Sequence, residues 1–204
     1  MIAIIDYGLG NVKAFANVYK KLNIPAVIAK QAEDLKNADK VILPGVGAFD
    51  YAMQRLEGSG MRQLLDEIVL RRHVPVLGVC VGMQMLACSS EEGRLPGLGW
   101  MDAEVRRFDP AFLKQSMPVP HMGWNSIKPI KPSGLLQGLD SDARFYFLHS
   151  YYFHSRKSEN IIAVTDYGGE FVCAANSGNV FGVQFHPEKS HKWGIKLLEN
   201  FAKL

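Results

Sequence analysis

Residues 74–87, VPVLGVCVGMQMLA, lead from an apolar, β-branched run into a helical pattern through a cysteine that two glycines flank. The segment Gly78-Val79-Cys80-Val81-Gly82 has the form of a nucleophile elbow, with cysteine in the position that serine takes in many hydrolases. The start of the helix that follows favours a thiolate through its free N–H groups and its dipole. Cysteine is also a small hydrophobe that often only packs, so the elbow alone leaves both interpretations open.

The first half of the sequence alternates apolar strand patterns with amphipathic helix patterns. Short apolar runs predict strands at 2–5, 26–29, 41–43 and 74–79, and helical spacing predicts helices at 11–22, 48–55 and 61–72. Strands that are apolar throughout are typical of a parallel sheet with helices on both faces. The sequence therefore predicts an α/β fold whose site lies beyond the carboxyl ends of the strands.

The pattern changes after about residue 97, where prolines separate short strand-like pieces at 104–108, 145–148, 161–165 and 170–174. These pieces predict a second, mostly antiparallel layer packed on the first sheet. A last strand at 180–185 and a last helix at 191–201 complete the pattern. We expect residues 1–204 to form a single domain, because this length suits one domain with a small appended sheet.

Composition narrows the possible functions. The chain has 48% hydrophobic and 21% charged residues and a net charge of +3 with acids and bases interspersed, which disfavours a nucleic-acid partner. No apolar run approaches the roughly 20 residues of a membrane span, and the N-terminus resembles a strand more than a signal peptide. Three cysteines without paired spacing indicate no disulfide framework, so we expect a cytoplasmic protein.

A general base for Cys80 is found among the six histidines. His186 follows the last apolar strand, in the segment FHPE at 185–188, which places it at the same sheet edge as the elbow. Glu188, two residues on along an extended segment, can lie beside the imidazole and orient it, as the third member of a triad does. A solvated carboxylate at a strand end is the alternative. His73, His154 and His191 have polar surroundings, whereas His121 and His149 are harder to dismiss.

The turn PGVG at 44–47 ends the strand before the elbow and predicts an oxyanion site. Its glycines allow backbone N–H groups at Val46 and Gly47 to turn towards a developing oxyanion, with the N–H of Val81 as the second donor. A dinucleotide fingerprint at YGLGN, residues 7–11, is rejected because Lys13 stands where the third glycine is needed. The scattered cysteines and histidines also lack the spacing of metal ligands.

Two motifs resemble the triad-type, class I glutamine amidotransferases: GVCVGMQ at 78–84 and VQFHPE at 183–188. Four further stretches resemble the glutaminase subunits of imidazole glycerol phosphate synthase, namely DYGLGN at 6–11, PGVGAF at 44–49, PHMGWN at 120–125 and HSYY at 149–152. The resemblance runs from the first predicted strand to the last helix. It implies a flavodoxin-like fold with a small additional sheet, glutamine hydrolysis and no cofactor.

The resemblance also implies a role for individual residues. Cys80 is then the nucleophile, His186 the general base and acid, and Glu188 its orienting carboxylate. Implied contacts to glutamine come from Gln84, Ser150 and Tyr151, and implied contacts to a partner come from Asn11, Met122, Trp124 and Lys189. The implied partner is a cyclase subunit with a (β/α)8 barrel. It receives the ammonia and makes imidazole glycerol phosphate and AICAR in histidine biosynthesis.

Two other functions stay open at this point. The first helix, KAFANVY at 13–19, looks more like a sibling branch that supplies ammonia for amidination of a surface-polysaccharide sugar. A non-catalytic binding module of the same fold is the alternative from another class. Loss of a triad member would favour that module, and all three members are present in this sequence.

Overall fold

A computed structural model describes residues 1–108 and 117–204. The first half of the chain alternates strands and helices as the apolar pattern predicts. Its strands are β1 (Ile2–Ile5), β2 (Ala26–Ala29), β3 (Lys40–Gly45) and β4 (Val76–Cys80). Its helices are α1 (Val12–Lys21), α2 (Phe49–Gly58) and α3 (Arg62–Asp66), which continues as a π-helical turn at Glu67–Arg71.

The second half is dominated by short strands. After α4 (Val81–Met85) they are β5 (Ser89–Ser90), β6 (Ala103–Arg107), β7 (His121–Ser126), β8 (Lys128–Pro129), β9 (Arg144–His149), β10 (Tyr151–Ser155), β11 (Ile161–Asp166), β12 (Glu170–Ser177) and β13 (Val180–Val183). A 3-10 turn at Pro187–Lys189 leads into the final helix, α5 (His191–Lys203). Further 3-10 turns lie at Ala32–Leu35, Gly134–Leu136 and Ser158–Asn160.

Most strands belong to one mixed sheet with the order β2-β1-β3-β4-β13-β12-β10-β6-β5. The five strands from β2 to β13 pair in parallel, and β12 then pairs antiparallel with β13. α1 packs on β1 and β2, and α4 packs on β3, β4 and β13. The predicted α/β, flavodoxin-like class with a small antiparallel sheet is thereby confirmed.

One detail of that prediction is wrong. The antiparallel strands β6, β10, β11 and β12 do not form a second layer, because they extend the parallel sheet at its edge beside β13. Only β7 and β9 form a separate two-stranded sheet among the described residues, with Met122 opposite Leu148 and Trp124 opposite Tyr146. Alternating apolar patterns show that a strand has a buried face, but they do not show which neighbour it pairs with.

Two strands that lead to the site do not end where the sequence predicts: β3 ends later and β13 ends earlier. β3 continues through Pro44 and Gly45, which pair with Val79 and Cys80 of β4. The buried hydroxyl of Tyr7 donates to the carbonyl oxygen of Pro44 at 2.7 Å, so this end of the strand is held in place. Only Val46 and Gly47 of the PGVG turn lie beyond the strand. β13 ends at Val183 rather than 185.

The helices pack in two groups that complete the core. α1 packs on α5, where the buried hydroxyl of Tyr19 donates to the carbonyl oxygen of Leu198 at 3.2 Å. α2 packs on α4, next to the carboxyl end of the parallel strands. Among the described residues, no helix has the length and apolar character needed to cross a membrane.

Candidate active site

Cys80 lies at the sharp turn between β4 and α4, in a conformation that residues other than glycine rarely adopt. Its φ is +56° and its ψ is −115°, a strained geometry that is typical of functional sites. Two glycines make the turn possible. A Cβ on Gly82 would lie 1.9 Å from the carbonyl oxygen of Leu43, and a Cβ on Gly78 would lie 2.6 Å from that of Gly82. The close backbone packing therefore requires both glycines, and it holds Cys80 at the carboxyl end of the parallel strands.

His186 is held by its backbone on both sides. Its N–H donates to the carbonyl oxygen of Tyr146 at 2.8 Å, and the hydroxyl of Ser190 donates to its carbonyl oxygen at 2.6 Å. The same hydroxyl accepts from the N–H of Tyr146 at 3.0 Å. The 3-10 turn that Pro187 begins carries Glu188 back beneath the imidazole, where Oε1 lies 2.9 Å from Nδ1 of His186. A carboxylate only accepts, so Nδ1 carries the proton and Nε2 is left for Cys80.

The charges around His186 favour its protonated form. Burial lowers the pKa of His186, but hydrogen bonds and opposite charge from Cys80 and Glu188 outweigh burial and raise that pKa to about 10. The other carboxylate oxygen of Glu188, Oε2, is buried and has no hydrogen-bond partner among the described residues. Nδ1 of His186 is therefore the hydrogen-bond partner of the Glu188 carboxylate among the described residues.

A cavity of about 280 Å³ opens above Cys80 and His186. It is large enough for an amino acid and contains a single carboxylate side chain among the described residues, that of Glu92. Burial raises the pKa of Glu92, a hydrogen bond from the N–H of Phe49 at 2.9 Å lowers it, and the net shift is upwards. The cavity is lined by Val46, Gly47, Cys80, Val81, Gln84, Glu92, Pro120, Leu148, His149, Ser150, Tyr151, His186 and Lys189.

The amide of Gln84 has a defined orientation in this cavity. Its Nε2 donates to the carbonyl oxygen of Tyr151 at 2.9 Å and to Oε1 of Gln184 at 3.1 Å. Both N–H groups are used in these contacts, so the amide oxygen of Gln84 is the group available to a ligand.

A pair of buried histidines lies next to the carbonyl oxygen of Tyr151, and one of them contacts it. Nδ1 of His149 lies 2.8 Å from the carbonyl oxygen of Tyr151, and Nε2 of His149 lies 3.1 Å from Nδ1 of His121. A carbonyl only accepts, so His149 carries its proton on Nδ1 and accepts from His121 at Nε2. Nε2 of His121 then accepts from the amide of Asn125 at 3.3 Å. Burial lowers the pKa of His121 to about 4 and that of His149 to about 3, so both rings are neutral.

The comparisons with known proteins show the family of the chain. The model of the family "Glutamine amidotransferase class-I" matches residues 3–204. The chain is 57% identical to imidazole glycerol phosphate synthase subunit HisH of Bdellovibrio bacteriovorus and 52% identical to that of Leptospira interrogans, over 100% of each chain. The chain is a HisH-family class-I glutamine amidotransferase. It is also 46% identical, over its full length and that of the relative, to subunit HisH 2 of Pseudomonas aeruginosa.

Solved structures of amidotransferases share the fold of this HisH-family chain at lower identity. A structure described as a glutamine amidotransferase has a TM-score of 0.73 at 20% identity, covering 100% of this chain and 99% of that one. A glutamine amidotransferase of Thermotoga maritima has a TM-score of 0.62 at 19% identity, covering 92% of this chain and 75% of that one.

Most of the residues singled out from the sequence meet at one place in this amidotransferase. The cavity brings together Cys80, His186, Val46, Gly47, Val81, Gln84, Ser150, Tyr151 and Lys189, and Glu188 lies behind His186. Asn11, Met122 and Trp124 lie outside the cavity lining. Asn11 caps α1 by accepting from the N–H of Ala14 at 3.2 Å. Met122 and Trp124 occupy the exposed face of β7, with exposed fractions of 61% and 37%.

Glu92 is a cavity residue for which the sequence predicts no role. It lies in an ordinary charged segment, EEGR at 91–94, and no local pattern distinguishes it from its neighbour Glu91. Within the part of the chain that the structure describes, no group of three or more histidine, cysteine or acidic side chains is arranged to hold a metal ion.

Proposed function

We propose that this chain hydrolyses glutamine to glutamate and ammonia through a thioester on Cys80. The observation that carries the proposal is the strained Cys80 facing an imidazole that is backed by a buried carboxylate, in a cavity of amino-acid size. The family model spans residues 3–204, which supports treating residues 1–204 as one glutaminase domain.

The proposed reaction has two halves with His186 active in both. The Cys80 thiolate attacks the γ-carbonyl carbon of glutamine, and His186 gives its Nε2 proton to the departing amide nitrogen, which leaves as ammonia. Water then attacks the thioester while His186 takes a proton from it, and glutamate leaves as the C–S bond breaks. Glu188 holds the ring and stabilises the imidazolium without taking the proton.

The tetrahedral intermediates need donors for a negatively charged oxygen. Val81 is the first residue of α4, so its N–H has no acceptor within the helix, and Val81 also lines the cavity. Gly47, with φ at +87°, supplies the second donor from the short segment Val46–Gly47. One such donor is worth roughly 10²–10³ in rate.

The polar groups of the cavity suit the head group of glutamine. The α-ammonium is recognised by the Glu92 carboxylate and the amide oxygen of Gln84, both of which accept hydrogen bonds. Ser150 and Tyr151 line the same cavity and bind the α-carboxylate. The cavity thus holds glutamine by the charged groups on its α-carbon and leaves its side-chain amide for Cys80.

A partner protein receives the ammonia, because ammonia released into bulk water becomes ammonium, which is a poor nucleophile. We propose that the partner is a cyclase with a (β/α)8 barrel that makes imidazole glycerol phosphate and AICAR. The partner docks on the exposed face of β7 at Met122 and Trp124, next to Asn11 and Lys189. The exposed Leu148 joins this face to the cavity, because it pairs with Met122 and also lines the cavity.

Glutamine turnover by the chain with its cognate cyclase tests this function. We expect Cys80→Ser to abolish ammonia release and Cys88→Ser, at an exposed position, to retain it. A glutamine-like electrophile is expected to label Cys80 and neither Cys88 nor Cys173. Undiminished turnover or labelling in the Cys80→Ser protein would overturn the proposal.

A further inference from the structure

Gln184 is a fully buried polar residue that the proposed reaction does not use. It follows β13 in the segment VQFHPE, two residues before His186. Its Nε2 lies 3.9 Å from Sγ of Cys80, and its Oε1 accepts from Gln84. A buried amide in contact with the reacting sulfur either only fills space in the core or takes part in the chemistry.

The orientation of this amide follows from one carbonyl group. The carbonyl oxygen of Tyr151 only accepts, so Gln84 must direct its nitrogen towards it. The second N–H of that nitrogen requires an acceptor, which is Oε1 of Gln184. Gln184 therefore directs its own nitrogen, a donor, at the sulfur. Reversing either amide would bring two donors or two acceptors into contact.

The sulfur of Cys80 has a different backbone or side-chain partner for each of its protonation states. The carbonyl oxygen of Leu148, 3.8 Å away, accepts from the S–H of a thiol and repels a thiolate. The amide nitrogen of Gln184 donates to a thiolate. Hydrogen bonds to charged groups are stronger than those between neutral groups, so the donor of Gln184 favours the reactive form.

We propose that Gln184 is a further catalytic residue, which donates a hydrogen bond to the Cys80 thiolate and whose orientation is locked by Gln84 and the Tyr151 carbonyl. The proposal rests on Cys80 being the nucleophile of the proposed function. A thiolate that has just formed, or that is re-formed when the thioester is hydrolysed, is then stabilised by both His186 and Gln184.

Alkylation by iodoacetamide tests this role without glutamine, because the thiolate displaces iodide directly. The rate at each cysteine of the full chain is followed by peptide mass spectrometry at pH 7. We expect Gln184→Met, which removes the donor, to slow alkylation of Cys80 about tenfold. Gln184→Glu, which can still accept from Gln84 but adds a negative charge, is expected to slow it further. The exposed Cys88 in the same molecules serves as an internal control with an unchanged rate.

The outcomes separate this proposal from the proposed function. Fast, selective alkylation of Cys80 in the unchanged protein together with the same rate in a folded Gln184→Met protein would overturn the role of Gln184 alone. A control variant, Gln54→Met, changes an exposed glutamine of α2 and is expected to leave the rate at Cys80 unchanged. Failure of the nucleophile assignment would instead appear as turnover in Cys80→Ser.

A second measurement needs no change at Gln184. In ¹⁵N-labelled protein, we expect the side-chain amide resonances of Gln184 to shift when Cys80 is replaced by alanine, while those of Gln54 stay in place. Unmoved Gln184 resonances in that comparison would show that its amide makes no hydrogen bond to the sulfur, and would overturn the proposal even if Gln184→Met fails to fold.

Discussion

Oε1 of Glu188 lies 2.9 Å from Nδ1 of His186, and the two side chains are only 2% and 3% exposed to solvent. An ion pair so shielded from water is screened little by salt, and removing one partner leaves the other charge uncompensated. The carboxylate therefore controls both the direction of the imidazole and how readily it carries a proton.

Replacing Glu188 by glutamine tests that control. The amide keeps the shape of the side chain but loses the charge, so the imidazolium is less stable and the pKa of His186 falls. We expect Glu188→Gln to have a kcat between those of the unchanged protein and His186→Ala, which should lose at least ~10²-fold. Steady-state glutamine turnover measures the effect, and Glu199→Gln on α5 is the control. Full activity in Glu188→Gln would reduce the triad to a dyad.

Glu92 is expected to act on binding rather than on chemistry. Glu92→Gln removes the side-chain carboxylate of the described cavity lining, so the α-ammonium of glutamine loses its counter-charge. A lost charge-assisted hydrogen bond of about 1.5–3 kcal/mol corresponds to a KM roughly ten- to a hundredfold higher. Initial rates over a range of glutamine concentrations separate KM from kcat, with the exposed Glu33→Gln as control. A reduced kcat at unchanged KM would contradict this role.

We expect the segment Val46–Gly47 to act as a switch: in the lone chain one of its N–H groups points away from the oxyanion site, and binding of the cyclase turns that group towards the site. Pro44 and Gly45 are held in β3, so a reorienting peptide must lie beyond them. Gly47 has a φ of +87°, which alanine adopts only with strain. We expect Gly47→Ala to lower turnover in the complex with the cyclase by ~10²-fold, the lower range for a lost oxyanion donor.

Gly58→Ala is the matched control for this switch. Both glycines have open space where a Cβ would lie, but Gly58 ends α2 and has no positive φ. Turnover is measured with and without the partner and its acceptor substrate. A lone chain already as fast as the complex would argue for an independent glutaminase without a switch.

The exposed face of β7 is expected to hold the partner. Trp124 stacks on the ring of His191 with 5.3 Å between centroids and packs edge-on against Tyr146, so it presents a rigid aromatic surface. Interface tryptophans often contribute about 2 kcal/mol or more, so Trp124→Ala should weaken binding of the cyclase by about 30-fold or more. Calorimetric titration gives the dissociation constant. Tyr51→Ala, at an exposed tyrosine on α2, should bind normally.

The buried pair of His121 and His149 predicts acid sensitivity. Their folded pKa values of about 4 and about 3 lie below the ordinary value of 6.5, so the unfolded chain binds more protons between pH 3 and 6.5. Burying the two rings in their neutral form stabilises the protein fully above pH 6.5, and this stabilisation decreases as the pH falls towards 4. The decrease in free energy of unfolding should be on the order of 3 kcal/mol for each ring, and so about 6 kcal/mol for the pair, at about 1.4 kcal/mol per pKa unit.

Urea unfolding at pH 7, 5.5 and 4 measures this loss. His149→Gln, which removes one of the two titrating rings, should make the stability depend less on pH, whereas the exposed His73→Gln should leave the pH dependence unchanged. An identical pH dependence in His149→Gln and the unchanged protein would show that the pair does not control acid stability.

The order of strands and helices and the chemistry of the elbow follow from the sequence. Apolar periodicity is a local property, so β2 and the helices near 11–22 and 191–201 are found where the pattern predicts them. The nucleophile elbow is also a local feature, because Gly78, Cys80 and Gly82 lie within one turn. A Cβ at either glycine would clash with the backbone, so the turn can be recognised from the glycines in the sequence. The parallel topology then brings separate strand ends to one edge of the sheet.

Contacts between residues far apart in the sequence were decided by tertiary packing. His121 and His149 meet because β7 pairs with β9, and Glu92 reaches the cavity because its carboxylate binds the backbone of Phe49. The antiparallel strands join the main sheet because β12 pairs with β13 rather than forming a layer of their own. A local pattern records which side chains are buried. Which buried donor meets which acceptor, as when Gln184 meets Cys80, is set only when the strands have packed.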